Sequence, residues 1–97
     1  MYTVDLNFHL KDLSGKELEG DVYHIGKTVA IVLSGQEKSS APVIKLIDWA
    51  QKLYNKEAIL VDDSDKQVLT AIIETTERLT NLQKASVLRV LKDLEKK

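Results

Sequence analysis

Tyr2, Val4, Leu6, Phe8 and Leu10 alternate strictly with Thr3, Asp5, Asn7 and His9. A two-residue period with β-branched and aromatic members predicts a strand over 2–10, one face buried and the other wet. Lys11 to Gly15 then carries turn chemistry, because Asp12 and Ser14 can bond their own backbone and Gly15 tolerates positive φ. Lys16 to Glu19 is expected to return as a short second strand of a hairpin. Between Asp21 and Leu33 two readings compete. Val22, Ile25, Gly26, Val29 and Leu33 have helical spacing, with Asp21 as a cap and Ser34-Gly35 as a stop. The run from Thr28 to Leu33 is also β-branched enough for a buried strand. Length and both end signals favour the helix.

The stretch from Ala41 to Asn55 is the expected spine of the core. Val43, Leu46, Ile47, Ala50, Leu53 and Tyr54 recur at three-and-four spacing, with Ile44 and Trp49 on the flanks. Ser40 ahead of Ala41-Pro42 fits a hydroxyl cap with proline in the first turn, and Asn55 fits a left-handed stop. A stripe this broad predicts neighbours on both sides. Ala58 to Val61 is short, apolar and β-prone, and is expected to lie beside the first strand. Ser64 to Gln67 has the form of a capping box for a helix whose inward face is Val68, Ile72, Thr75, Thr76 and Leu79, with Leu69 and Ile73 beside it. Thr80 to Gln83 repeats the pattern before a last helix that buries Val87, Leu88, Leu91 and Leu94. Lys92, Lys96 and Lys97 suit its C-terminal end. The fold class is therefore α+β, a single domain over 1–97, with a small mainly antiparallel sheet of two or three strands and about four helices.

Composition narrows the function more by exclusion than by indication. Without cysteine there is no disulfide, thiolate nucleophile or cysteine metal site, which agrees with a cytoplasmic setting. A net charge of -1 gives no overall pull towards nucleic acid. No apolar run reaches the length of a membrane span, and the alternating N-terminus lacks the order of a signal peptide.

Candidate chemistry is sparse. Gly20-Asp-Val-Tyr-His-Ile-Gly26-Lys27-Thr28 resembles a phosphate loop but has five residues between its glycines where that loop needs four. A helix whose Gly26 permits close packing is the simpler reading. Asp62-Asp63-Ser64-Asp65 fails as a calcium loop, because the sixth and twelfth places hold Gln67 and Ile73, and capping carboxylates explain it better. His9 and His24 are the groups that titrate near neutral pH, and no nucleophile is paired with them in sequence. No catalytic residue, cofactor or metal ligand is therefore assigned, and the chain is read as not an enzyme. Lys84, Arg89, Lys92, Lys96 and Lys97 spread around the last helix, so a helix-turn-helix DNA reader is disfavoured. Trp49, between Lys45 and Lys52, either seals the core or anchors an interface together with Tyr54. Lys27 and His24 are the candidates for contacting a ligand.

Four segments together carry a resemblance: the opening strand running into Lys11-Asp-Leu-Ser-Gly-Lys-Glu-Leu18, Gly26-Lys27, Ile47-Asp-Trp-Ala-Gln-Lys-Leu-Tyr54, and Val61-Asp-Asp-Ser-Asp65. In this order they resemble small uncharacterised proteins of bacteriophages and prophages. The resemblance implies an accessory or virion-associated protein made in the host cytoplasm, and it carries no residue roles. The expected function is a non-catalytic binding protein, a homo-oligomer, and in the phage setting a counter-defence factor sequestering a host protein or a small nucleotide signal. A basic pocket from Lys27, Lys45 or Lys52 would favour the nucleotide, and a flat patch at Trp49 the protein. The alternatives are a structural or assembly protein and, less favoured, a DNA-binding regulator. Self-association is expected from the unpaired edge of the first strand or from the broad apolar stripe of the central helix.

Overall fold

In the computed structural model, which describes residues 1–35 and 43–94, the opening alternation produces two successive kinds of pairing. β1 (Tyr2–Val4) and β2 (Ile59–Val61) form an antiparallel pair in the register Tyr2↔Val61, Thr3↔Leu60, Val4↔Ile59. Val4, Ile59 and Val61 enter the core, while Thr3 and Leu60 face outward. As a sheet strand, the segment expected over 2–10 stops at Val4. Asp5 Oδ1 accepts the Asn7 N–H at 2.9 Å, and Phe8 N–H donates to the Leu6 carbonyl at 2.9 Å. These local bonds bend the chain away from β2. The alternation survives the bend, since Leu6 and Leu10 are buried, Phe8 is half-buried, and Asp5 and Asn7 are exposed.

Beyond the bend the backbone pairs with the start of the first helix. Gly26 N–H donates to the Leu6 carbonyl and Ile25 N–H to the Phe8 carbonyl, both at 2.9 Å. Leu10 N–H reaches the Tyr23 carbonyl at 2.8 Å. The expected turn follows: Asp12 Oδ1 accepts from Ser14 N–H, Ser14 Oγ and Lys16 N–H, and Gly15 adopts φ +92°. The returning hairpin strand is reduced to a single bridge, Lys11↔Glu17, and the Leu18 N–H to Leu10 carbonyl bond.

The ambiguous stretch is helical. A 3₁₀ turn (Asp21–Tyr23) leads into α1 (Ile25–Ser34), which buries Ile25, Gly26, Val29, Ala30, Val32 and Leu33. Its cap is His24 rather than Asp21, and Val22, expected inside, is 73 % exposed because it precedes the helix. Gly35 closes α1 as anticipated. The polar connection over 36–40 and the expected cap at Ser40 and Pro42 lie outside the described residues.

α2 (Val43–Tyr54) buries Leu46, Trp49, Ala50 and Leu53. Its apolar stripe is turned by roughly 60° from the expected one, at about 100° per residue. Trp49 is drawn inward because its indole has the most apolar surface to bury. The same rotation turns Val43 and Ile44 outward and leaves Tyr54 half exposed. The left-handed residue after α2 is Lys56, at φ 65°, rather than Asn55, whose side-chain amide donates to the Gln51 carbonyl. α1 packs along α2 and also meets the last helix, so α1 shares the role of spine.

α3 (Asp63–Thr75) starts earlier than the expected Ser64 box. Asp62 accepts the Asp65 N–H at 2.7 Å and Asp65 answers to the Asp62 N–H at 3.2 Å. Starting there puts Asp63 and Asp65 in the first turn, where carboxylates complement the helix dipole. Leu69, Ile72 and Ile73 are its buried apolar face, joined by Thr76 and Leu79 after the helix. α4 (Asn81–Asp93) begins with the expected box, Thr80 with Gln83. Val87 and Leu91 are buried, with Leu88, Val90 and Leu94 packed against the core. Lys96 and Lys97 lie outside the described residues. The described architecture is the expected small α+β fold, with a two-stranded antiparallel sheet and four α-helices.

Candidate functional site

The start of α1 is where the phosphate-loop resemblance and the candidate ligand residues fall. The N–H groups of Ile25 and Gly26 go to Phe8 and Leu6, and that of Lys27 goes to His24 Nδ1 at 3.1 Å. All three donors that a phosphate would use are taken, which closes this helix end to anions. Gly26 is required by packing: a Cβ there would lie 2.8 Å from the Leu53 carbonyl oxygen and 3.1 Å from that of Leu6. Gly26 is thus the crossing point of α1, α2 and the opening segment.

His24 is 2 % exposed and does structural work at both nitrogens. With Nδ1 accepting from Lys27, the proton sits on Nε2, which donates to Asn7 Oδ1 at 3.0 Å. His9 meets its ring edge-on, with centroids 5.2 Å apart. Burial pushes the His24 pKa down, and the neighbouring His9, Lys56 and Lys27 add to this against the opposing pull of Asp21. His24 is therefore a neutral capping imidazole rather than a ligand contact at the surface.

The lysines expected to build a basic pocket are separated. Lys27 pairs with Asp21 at 3.1 Å and stands 5.1 Å from the centre of the Tyr54 ring. Lys45 pairs with Asp65 at 2.6 Å and stands 5.4 Å from the Trp49 ring. The Asp65 carboxyl loses solvation on burial, which raises its pKa, but the Lys45 and Asp62 bonds outweigh this and lower it overall. Tyr54 and Lys45 are nine positions apart on α2, about 13 Å along the axis at about 1.5 Å per residue. Lys27 and Lys45 thus serve opposite ends of α2 within one subunit, and Lys52 is exposed between them.

Trp49 is 5 % exposed, so this ring belongs to the core of the subunit and offers no surface anchor. What remains exposed is the other side of the stripe. Ile31, Val43, Ile44 and Tyr54 are 58 %, 72 %, 77 % and 49 % exposed, an apolar strip along α1 and α2. Beside them a groove of about 400 Å³ runs between the two helices, floored by Ala30, Ile47 and Ala50 and closed by Tyr54 and Asn55. Among the described residues no charged side chain lines it. Tyr54, an interface candidate from the sequence, borders this groove, and Ile31 and Ile47, which were not among the candidates, line it too. Ile31 gave a signal: it stands off the stripe formed by Val29 and Leu33, an apolar residue with no reason to be on the wet side.

Among the described residues no group of His, Asp and Glu could hold a metal ion, and no helix is long and apolar enough to cross a membrane. No protein-family model, curated protein or solved structure matches the chain.

Proposed function

We propose that this is a non-catalytic binding protein that works as a homodimer joined through the α1–α2 groove. The exposed, uncharged strip of Ile31, Val43, Ile44 and Tyr54 carries this reading. Among the described residues the groove lining brings no charged side chain to set against its own copy, so a two-fold pairing there meets no like-charge repulsion from it. The strand-edge route is less suited. From Leu6 onward the opening segment spends its backbone groups on α1 and the 3₁₀ turn, leaving only the short β1 as an edge. The non-catalytic part rests on His24 and Lys27 being committed to capping and pairing rather than converging on a cleft. In the phage setting that the resemblance implies, such a dimer would act as an accessory factor that sequesters a host component.

Sedimentation equilibrium at micromolar concentration is expected to give twice the chain mass. Ile31→Glu, which changes an exposed side chain, is expected to return the protein to one chain mass with its helical circular dichroism intact. A monomeric wild type at high concentration would overturn the proposal. So would an Ile31→Glu variant that remains a dimer.

A further inference from the structure

A second concavity lies on another side of the molecule, between the segment that follows the Asn7 bend and one face of α4. Its volume is about 490 Å³, within the range of small-molecule pockets. Phe8, Leu82 and Val90 give it apolar walls, while His9, Lys11 and Arg89 bring donors from both sides. Leu82, Ser86, Arg89 and Val90 are spaced four, three and one apart, so α4 presents them on one face. Asp12 also borders the crevice as a carboxylate held ionised by the Ser14 and Lys16 bonds to its Oδ1, so two cations there face one anion. Among the described residues neither Lys11 nor Arg89 is held in an ion pair. The crevice therefore combines apolar walls with two cations that no ion pair among the described residues holds, and guanidinium forks match carboxylate and phosphate oxygens.

We infer that this crevice is a binding site for a small anion with a planar apolar body, an aromatic carboxylate or phosphate. The ring would lie against Phe8, Leu82 and Val90, and its oxygens would face Arg89 and Lys11, with His9 as a further donor. The site is separate from the α1–α2 groove, so it does not depend on self-association.

Titration of ¹⁵N-labelled protein with 2-naphthoate and with 1-naphthyl phosphate tests it, using 2-naphthalenemethanol and inorganic phosphate as partial probes. Amide shifts are expected to concentrate on residues 8–13 and 82–90. Both partial probes should bind at least tenfold more weakly than the complete anions. A preference between carboxylate and phosphate identifies which head group the cations favour. Arg89→Gln and Lys11→Gln, both at exposed positions, should each weaken binding about tenfold or more. Shifts centred elsewhere, binding of the neutral alcohol equal to that of the anions, or affinity unchanged in both variants would overturn the assignment.

Discussion

α3 and α4 begin with reciprocal capping boxes, each closed between residues three apart, whereas α1 adds to its one local cap bond, Lys27 to His24, partners seventeen or more residues away. The Asp62–Asp65 and Thr80–Gln83 boxes need nothing beyond their own turn. The first N–H groups of α1 reach Phe8 and Leu6, and its cap, His24, is itself tied to Asn7. Gly26 then lets α1 touch the backbone at Leu53. α3 and α4 are thus started locally, and α1 chiefly by tertiary contact. The difference implies that damage to the α1–α2 side should spread through the fold, while damage to an α3 or α4 cap should stay near the size of the cap itself.

The largest effect is expected at Trp49. Trp49→Ala should cost about 3–5 kcal/mol in urea denaturation, the range for a truncated core aromatic. Trp49→Glu would strike the fold before any interface, because this ring is buried. Gly26→Ala comes next, at about 1–3 kcal/mol, because backbone oxygens rather than flexible side chains occupy the space of the new methyl. Asp62→Ala and Thr80→Ala should each cost about 1 kcal/mol, with the loss of amide protection confined to the first turn of α3 or α4 in hydrogen exchange. Equal, fold-wide loss of protection in the cap variants and in Gly26→Ala would erase the contrast between the two sides.

The same contrast explains what could be read in the chain. The α4 box, the Asp12–Gly15 turn and the β1–β2 pairing were legible because their signals are local or strictly periodic. At α3 the box form was legible, but the starting residue was not, since Asp62 and Ser64 both head an acceptable cap. The α1 cap was not legible, because nothing adjacent marks His24 as an acceptor for Lys27 rather than a surface base. The rotation of α2 was hidden for a related reason: an apolar stripe as wide as 43–54 does not say which half has a neighbour. That ambiguity left Trp49 open between core and interface and placed Val43 in the core; the fold buries Trp49 and turns Val43 outward.

A smaller effect sharpens the comparison through pH. His24 has a pKa below the ordinary 6.5, chiefly through burial. The unfolded chain therefore takes up this proton first as pH falls. The neutral-cap contribution is fully present above pH 6.5 and is lost as pH falls from there through the folded value. The midpoint of thermal unfolding should drop over that window in the wild type and change less in His24→Asn, which keeps a capping oxygen without the titration. An identical pH profile in the two proteins would remove His24 from the account of α1.

The proposed dimer rests on the outward half of the α2 stripe, and the proximity of two copies there can be read directly. A mixed sample, half ¹³C-methyl-labelled and half unlabelled, permits isotope-filtered nuclear Overhauser spectra that register contacts between chains alone. Intermolecular cross-peaks from the Ile31, Val43 and Ile47 methyls to the Tyr54 ring are the predicted result. A spectrum without intermolecular cross-peaks at these methyls, or with cross-peaks only at β1, would contradict a dimer built on the α1–α2 groove.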